Sequence, residues 1–417
     1  MCQRCAGIKA RNLLIIDSEM KQSDITHATT GERIAKVLET VLPHERPIAL
    51  HEPHLGLPER EAVAACIDSG FVSSVGAYVD EFEERLAAIT GARRAIAVVN
   101  GTAALQIALT LAGVEPGDEV LVPALTFVGT ANAVVHAGAT PHFVDCDEAT
   151  FGMSSTAVHE HLERIAKPSP RGPINRETGA RIAAMVPMHA FGHPADMPAL
   201  MTVADALGLP IVEDAAESLG STLGGKHTGT FGQLGIVSFN GNKVVTTGGG
   251  GAILTDDDDL ADRAKHLTTT AKVPHRWDFV HDQVAWNFRM PNLNAALGCA
   301  QLERLPELLH AKRHLAAAYA LAFESVEEIE FTSEPEGTRS NYWLCTIRTH
   351  ATKQEALSTI LDHLNDAGYG CRPAWRLLHH LPMFSGAPRA EVPIAENLER
   401  EIVCLPSSAQ LAPSMQR

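Results

Sequence analysis

The sequence predicts an α/β protein, with a large domain whose mostly parallel sheet is flanked by helices and a smaller α+β domain at the C-terminal end. Three observations predict it. From Arg94 to Leu267, short apolar runs alternate with helical patterns, as in strands joined by crossover helices. Beyond Glu324 the spacing changes, with SNYWLCTIRT and EIVCLP reading as strands and TKQEALSTILDHLNDAG as a helix between them. A chain of 417 residues is long enough for two or three domains. The divisions drawn are an N-terminal appendage (1–29), a large unit with N-terminal helices (30–323) and a small unit (324–417).

Taken in order, TGERIAKVLETVL has a cap-like threonine and helical spacing, and ends before Pro43. Pro58 opens a helix that Gly70 closes. AYVDEFEERLAAITG is a second amphipathic helix, again closed by glycine. RRAIAVV is a buried strand, and NGTAALQIALTLAGV a turn running into a helix. DEVLVP, ATPHFVD, RIAAMVPMH and LPIVED follow as strands, with TFVGTANAVVHAG and PADMPALMTVADALG as helices. LGIVSF and GAILTD are short strands, and DDDDLADRAKHL is a helix whose acidic start and basic end suit its dipole. Residues 268–292 lack periodicity, and a loop of that length is usually functional. LNAALGCAQLERLPELLHAKRHLAAAYALAF resumes the helical pattern.

Net charge is -16, spread along the chain, which argues against a nucleic-acid partner but not against a small phosphorylated ligand. No apolar run reaches the roughly 20 residues of a membrane span. LLIIDSEM is too short and lacks a signal-peptide cleavage site, so the expectation is a cytoplasmic protein with no membrane partner. The eight cysteines mostly sit in apolar segments. Cys2 and Cys5 form a CxxC without a second pair at zinc spacing, and no metal is expected.

The chemistry concentrates between Glu213 and Gly251, in EDAAESLGSTLGGKHTGTFGQLGIVSFNGNKVVTTGGGG. Asp214 ends a strand, where open α/β sheets bind ligands, though it reads equally as a cap for AAES. Lys243 sits among small residues that allow close approach, where most lysines are solvated. Gly101 and Thr102 mark a strand-to-helix turn suited to phosphate, and Ser238 is a second hydroxyl donor. Phe127 is a flat side chain after a strand; alone it reads as a core aromatic. These are the parts that pyridoxal 5'-phosphate requires: an amine, a carboxylate for the pyridine nitrogen, phosphate donors, a cover for the ring and a small-residue floor. Glu217 is placed to reach the ring hydroxyl, or is a helix-start glutamate.

GGGG at 248–251 is not a dinucleotide fingerprint, because a strand follows it and not a helix. His189 and His193 have i, i+4 spacing, but Gly192 and Pro194 oppose a helix, and a structured loop is expected. His189 remains a candidate for substrate contact. So does Ser73 in the FVSSVG turn, which also reads as a plain linker. Lys272, His275, Arg276 and Arg289 would supply cations for a diphosphate, or form a merely solvated basic loop.

From Thr30 to Ser408 the chain resembles the DegT/StrS family of fold-type-I, pyridoxal-phosphate-dependent sugar aminotransferases. VVNGTAAL, VPALTFVGTANAV, VEDAAESLGS, TGTFGQLGIVSFNGNKVVTTGGGG and WNFRMPNLNAALGCAQL carry the likeness. HEPHLG, FVSSVGAYVDEFE, VPMHAFGHPAD, HLTTTAKVPHRW and SNYWLCTI narrow it to legionaminic-acid-pathway enzymes. The resemblance implies a homodimer with shared active sites, Lys243 as Schiff-base lysine, Asp214 on the pyridine nitrogen, and Gly101, Thr102 and Ser238 on the phosphate. It further implies Phe127 over the ring and Asn287 reaching the neighbouring subunit's cofactor. The substrates implied are L-glutamate, giving 2-oxoglutarate, and a UDP-linked 4-keto-6-deoxy-N-acetylhexosamine, with GDP as the alternative carrier. Glutamine is common in the family where Glu217 stands, and glutamate where Gly249 stands. Related sugar 3-dehydratases carry histidine at the position of Lys243. A non-catalytic regulator on this fold would not need Lys243, Asp214 and the phosphate turn together.

Overall fold

The computed structural model describes residues 28–350, 355–412 and 415. Cys2, Cys5 and all but the last two residues of the expected appendage lie outside the described residues.

Helix Thr30–Val41 starts at a reciprocal cap: the Glu32 amide donates to Thr29 Oγ1 at 3.2 Å, and the Thr29 amide to Glu32 Oε2 at 2.8 Å. Helices Leu57–Asp68 and Ala77–Thr90 follow, the second closed by Gly91 at φ 74°. Both pack on the long helix Asn292–Phe323, which spans about 48 Å and tolerates Pro306 within it.

The large sheet has two parts. One runs in the order Arg94–Val98, Gly251–Thr255, Leu234–Ser238, Val212–Asp214; the other Thr140–Val144, Glu119–Pro123, Ile182–Met185. Parallel bridges Met185–Ile211 and Met188–Asp214 join them. Three pairings are parallel, as expected, but Gly251–Thr255 runs antiparallel to both neighbours. The reason lies in the connection from Ser238 to Gly251. It contains no crossover helix, and a parallel return requires one. That connection carries Lys243, so the lysine stands at the carboxyl end of Leu234–Ser238.

Helices Gly101–Leu111, Val128–His136, Met197–Leu207 and Asp258–Thr268 appear where the pattern predicts them. Ser155–Ile165 and Pro393–Glu401 are helices that the sequence reading did not assign. The C-terminal lobe is an antiparallel sheet, Ile329–Phe331, Cys345–Thr349, Ile402–Leu405, Arg372–Pro373, packed by Leu357–Asp366 and Pro393–Glu401.

Residues 30–50, assigned by sequence to the large unit, hydrogen-bond mainly to the C-terminal lobe. The Thr30 amide reaches Glu355 Oε2 at 2.9 Å, the Ile48 amide Gly368 O at 2.9 Å, and the Ser407 amide Leu50 O at 2.7 Å. The two ends of the described chain thus build one wall together, and that wall closes over the carboxyl ends of the large sheet's strands.

Candidate active site

At those strand ends lies a cavity of about 580 Å³, whose lining includes Gly101, Thr102, Phe127, Asp214, Ser238 and Lys243. Glu217 lines it as well.

One end of the cavity is the start of helix Gly101–Leu111. Asn100 Oδ1 caps it by accepting from the Ala103 amide at 2.8 Å, while the first-turn amides of Gly101 and Thr102 have no carbonyl partner within the helix. A Cβ on Gly101 would stand 3.1 Å from Ser238 Cβ and 3.4 Å from its Oγ, so the Ser238 hydroxyl lies against the helix start. A Cβ on Gly129 would lie 2.9 Å from the Phe127 ring and 3.0 Å from Thr102 Oγ1. Free amides, two hydroxyls and the positive end of a helix dipole therefore face one corner, beside an aromatic ring. Phe127 is half exposed in the cavity rather than part of the core.

Asp214 forms the floor. Thr130 Oγ1 donates to its Oδ2 at 2.8 Å and the Ala216 amide to its Oδ1 at 3.2 Å. Burial raises its pKa, opposed by those two hydrogen bonds and then by Lys243 and His189. No cationic side chain among the described residues forms an ion pair with it, so the carboxylate lacks a counter-charge that a pyridinium would supply. Its neighbour Glu213 points the other way, as strand alternation dictates, and accepts the amides of Gly229 and Gly232 at 2.7 and 2.6 Å.

Lys243 sits on a tight turn, its amide donating to Asn240 O at 3.0 Å. Its Nζ is 3.4 Å from Glu217 Oε1 and 4.0 Å from the centre of the Trp343 ring. Burial pushes Glu217 up to about 7 against the pull of Lys243 and of the Phe191 amide, which donates to its Oε2 at 3.0 Å. The amine, the unpaired carboxylate, the phosphate corner and the aromatic ring fit pyridoxal phosphate by the chemistry of the donor set.

Several cavity residues were not singled out from sequence: Thr130, His51, Trp343, Arg372 and Trp375. Trp375 stacks on Phe191 with centroids 4.7 Å apart and planes 5° from parallel. Thr130 lay within a quoted motif, one helical turn from Phe127, and that spacing was its signal. His51 lies in HEPHLG and Trp343 in SNYWLCTI, segments of the narrower resemblance, while Arg372 and Trp375 carry no local signal.

Other candidates stand elsewhere. His189 is fully buried behind the strand, with Nε2 3.1 Å from Glu213 Oε2 and Nδ1 accepting from the Ala195 amide at 3.0 Å. Both nitrogens have partners within the protein, so it braces Glu213, and it is not part of the cavity lining. His193 lies beyond the short turn Ala190–Gly192, not on a helix with His189. Ser73, Lys272, His275, Asn287 and Arg289 are outside the cavity lining of their own chain. Ser73 O accepts from the Asn292 amide at 2.6 Å, Lys272 Nζ lies 3.8 Å from the Phe279 ring centre, and His275 Nδ1 accepts from the Asp278 amide at 2.9 Å. Arg289 Nε donates to Asn287 Oδ1 at 2.9 Å. One trio of metal-ligand type converges among the described residues, His379, His380 and Glu396, within 4.8 Å of one another and away from this cavity.

Comparison with known proteins agrees with this chemistry. Residues 54–417 match the DegT/DnrJ/EryC1/StrS aminotransferase family. The chain is 35% identical over 365 residues to GDP-perosamine synthase of Escherichia coli O157:H7, covering 88% of this chain and 94% of that one. It is 29% identical over 342 residues to UDP-N-acetyl-3-dehydro-alpha-D-glucosamine 3-aminotransferase of Acidithiobacillus ferrooxidans, covering 79% and 83%. Its fold matches the crystal structure of the aminotransferase TlmJ from Streptoalloteichus hindustanus with a TM-score of 0.79 at 30% identity, over 88% of this chain and 95% of that one. A lysine amine and an unpaired buried carboxylate set beside a helix-borne phosphate corner are thus explained by descent as well as by chemistry: the chain belongs to the DegT/DnrJ/EryC1/StrS family of pyridoxal-phosphate-dependent sugar aminotransferases.

Proposed function

We propose that the chain transfers an amino group from L-glutamate to C4 of a nucleotide-linked 4-keto-6-deoxy sugar, releasing 2-oxoglutarate and a 4-amino-4,6-dideoxy sugar nucleotide. The observation that carries the reading is the convergence of Lys243, Asp214, Ser238 and the start of helix Gly101–Leu111 on one cavity.

When bound, pyridoxal phosphate supplies an electron-withdrawing ring that stabilises negative charge on the carbon next to the transferred nitrogen. Asp214, buried and held by Thr130, would keep a proton on the ring nitrogen. The amides of Gly101 and Thr102 with the Ser238 hydroxyl would hold the phosphate. Phe127 would cover the ring. The Lys243 amine would take up and return the proton of the donor's Cα, and Glu217 at 3.4 Å would share in its charge balance.

We take the sugar as a 2-acetamido-2,6-dideoxy-4-ketohexose on UDP, in legionaminic-type acid or surface-glycan synthesis. The support is the set of narrower sequence matches, HEPHLG and SNYWLCTI among them. A second reading has GDP as carrier, favoured by the 35% identity to a GDP-perosamine synthase. The working unit in this proposal is a cytoplasmic homodimer, with Asn287 reaching the neighbour's phosphate and Lys272, His275 and Arg289 serving the diphosphate. In support, Phe71, Val75, Trp277, Phe279 and Val284 stand exposed on the 71–75 turn and the 277–284 loop, Val284 to 92%. No helix among the described residues is long and apolar enough to cross a membrane.

The test is direct. Purified protein should be yellow, and borohydride should fix the cofactor to Lys243. Turnover is then assayed with L-glutamate and UDP- or GDP-linked 4-keto-6-deoxy sugars in parallel. Wild-type turnover by Lys243→Ala overturns the mechanism, and a preference for GDP selects the second reading.

A further inference from the structure

Lys312 lies on the long helix Asn292–Phe323 and is 1% exposed. No carboxylate pairs with it among the described residues. Its Nζ instead reaches Ser407 O at 2.5 Å, Trp343 O at 3.2 Å and His51 Nε2 at 3.0 Å. An ammonium has three N–H donors and no lone pair. Two of the three neighbours are carbonyls, which only accept. Burial pushes the Lys312 amine down to about 7; in its protonated form the third N–H falls to His51 Nε2, so that nitrogen accepts and the ring proton resides on Nδ1. Burial, then Lys312 and Lys243, holds the His51 ring well below its usual pKa, so the imidazole is neutral and has a single proton to place.

His51 lines the cavity that Lys243 also lines, while its Nδ1 is buried with no hydrogen-bond partner in the protein. A buried N–H without an acceptor is costly, and such groups ordinarily have partners. The opposite ring edge is occupied by Lys312, and the ring itself borders the cavity.

We propose that His51 is a substrate-contacting residue whose Nδ1–H is donated to an acceptor oxygen of the bound substrate, and that Lys312 is the positioning residue that fixes its tautomer and orientation. The inference rests on the transamination reading above. The acceptor is a carboxylate oxygen of the amino donor or an oxygen of the keto sugar. A neutral Lys312 amine would reverse the third bond, taking Nε2–H and stripping Nδ1 of its proton. The charge of the lysine and the tautomer of the histidine are therefore one linked state.

The experiment uses the holoenzyme and follows the two half-reactions separately by cofactor absorbance, first with L-glutamate, then with the UDP- and GDP-linked 4-keto sugars. His51→Phe keeps the bulk and removes the donor; it raises KM about tenfold to a hundredfold in the half-reaction whose substrate carries the acceptor, with kcat little changed. An effect confined to glutamate assigns the carboxylate, and one confined to the keto sugar assigns the sugar. His51→Asn, whose amide reaches the Nδ1 position, recovers most of the loss. His51→Gln, whose amide reaches the Nε2 position, does not. A structural role exercised only through Lys312 predicts the reverse order, and that result overturns the proposal, as does an unchanged KM in His51→Phe. Lys312→Met raises the same KM, and adding His51→Phe to it has little further effect. In 15N-histidine spectra, with the His51 signals assigned by their loss in the variants, the Nδ1–H tautomer is expected; an Nε2–H tautomer refutes the donor role. If wild-type holoenzyme reacts with neither glutamate nor either sugar, it is the transamination reading that fails.

Discussion

Trp343 holds Lys243 from two sides. Its ring centre lies 4.0 Å from the lysine Nζ, and its indole N–H donates to Asn242 O at 2.6 Å, one residue before the lysine. The tryptophan belongs to the C-terminal lobe, and Asn341 beside it reaches back to Glu217 O and Leu219 O at 2.9 Å each. The small lobe thereby sets the reach of a lysine carried by the large one.

Trp343→Phe keeps a ring face for the amine and removes the tie to Asn242. The lost hydrogen bond costs about 1 kcal/mol of stability, and the freed turn lets Lys243 drift from its proton-transfer position. We expect kcat to fall about tenfold with cofactor content unchanged. Stopped-flow half-reactions with glutamate measure it, and a wild-type kcat would remove Trp343 from the mechanism.

Asp214→Asn preserves the shape of the floor but removes the negative charge and one of the two oxygens that accept from Thr130 and the Ala216 amide. Without that charge the ring nitrogen has nothing to hold its proton, and we expect kcat to fall by about 10²–10³. Thr130→Val, which deletes only the 2.8 Å bond to Oδ2, gives a smaller loss of about tenfold. Steady-state rates rank the two, and equal losses would mean that Thr130 does more than orient the carboxylate.

These predictions separate what the sequence makes legible from what it does not. Asp214 and Lys243 stood out because a strand-end acid and a lysine among glycines are local patterns. Trp343 could not stand out, since its partner Asn242 is distant in sequence and nothing around SNYWL marks the contact. The place of His189 was not legible either, since alternation along the site strand sends Glu213, and His189 with it, behind the sheet. The reversed direction of Gly251–Thr255 was readable in principle from the missing crossover helix, but apolar periodicity carries no direction.

Glu217 makes the cofactor-free protein sensitive to pH. Its folded-state pKa is pushed from 4.5 up to about 7, chiefly by burial. Between those values the folded protein binds the proton that the unfolded chain has released, so stability falls as pH rises. The contribution is fully present below about 4.5 and gone above about 7, a span of about 3 kcal/mol. Glu217→Gln does not titrate. Thermal melts of both proteins from about pH 5 to about pH 8 should show the variant gaining on wild type as pH rises, and parallel curves would refute the burial argument.

Gly251 offers the cleanest test that the phosphate corner is a packed object. A Cβ there would stand 2.5 Å from Asn100 C and 2.7 Å from Gly101 N, both backbone atoms that cannot rotate away. Gly251→Ala therefore displaces the start of helix Gly101–Leu111, at a cost of about 1–3 kcal/mol, and turns the amides of Gly101 and Thr102 away from Ser238. Gly113, just beyond the other end of the same helix, has φ 85° and open space around it. Gly113→Ala costs about 1 kcal/mol through backbone strain but leaves the phosphate corner in place. Both variants melt earlier, yet only Gly251→Ala weakens pyridoxal phosphate binding, by about tenfold or more in an absorbance titration of cofactor-free protein. If the two bind cofactor alike, the helix start is not what holds the phosphate, and the weight shifts to Ser238.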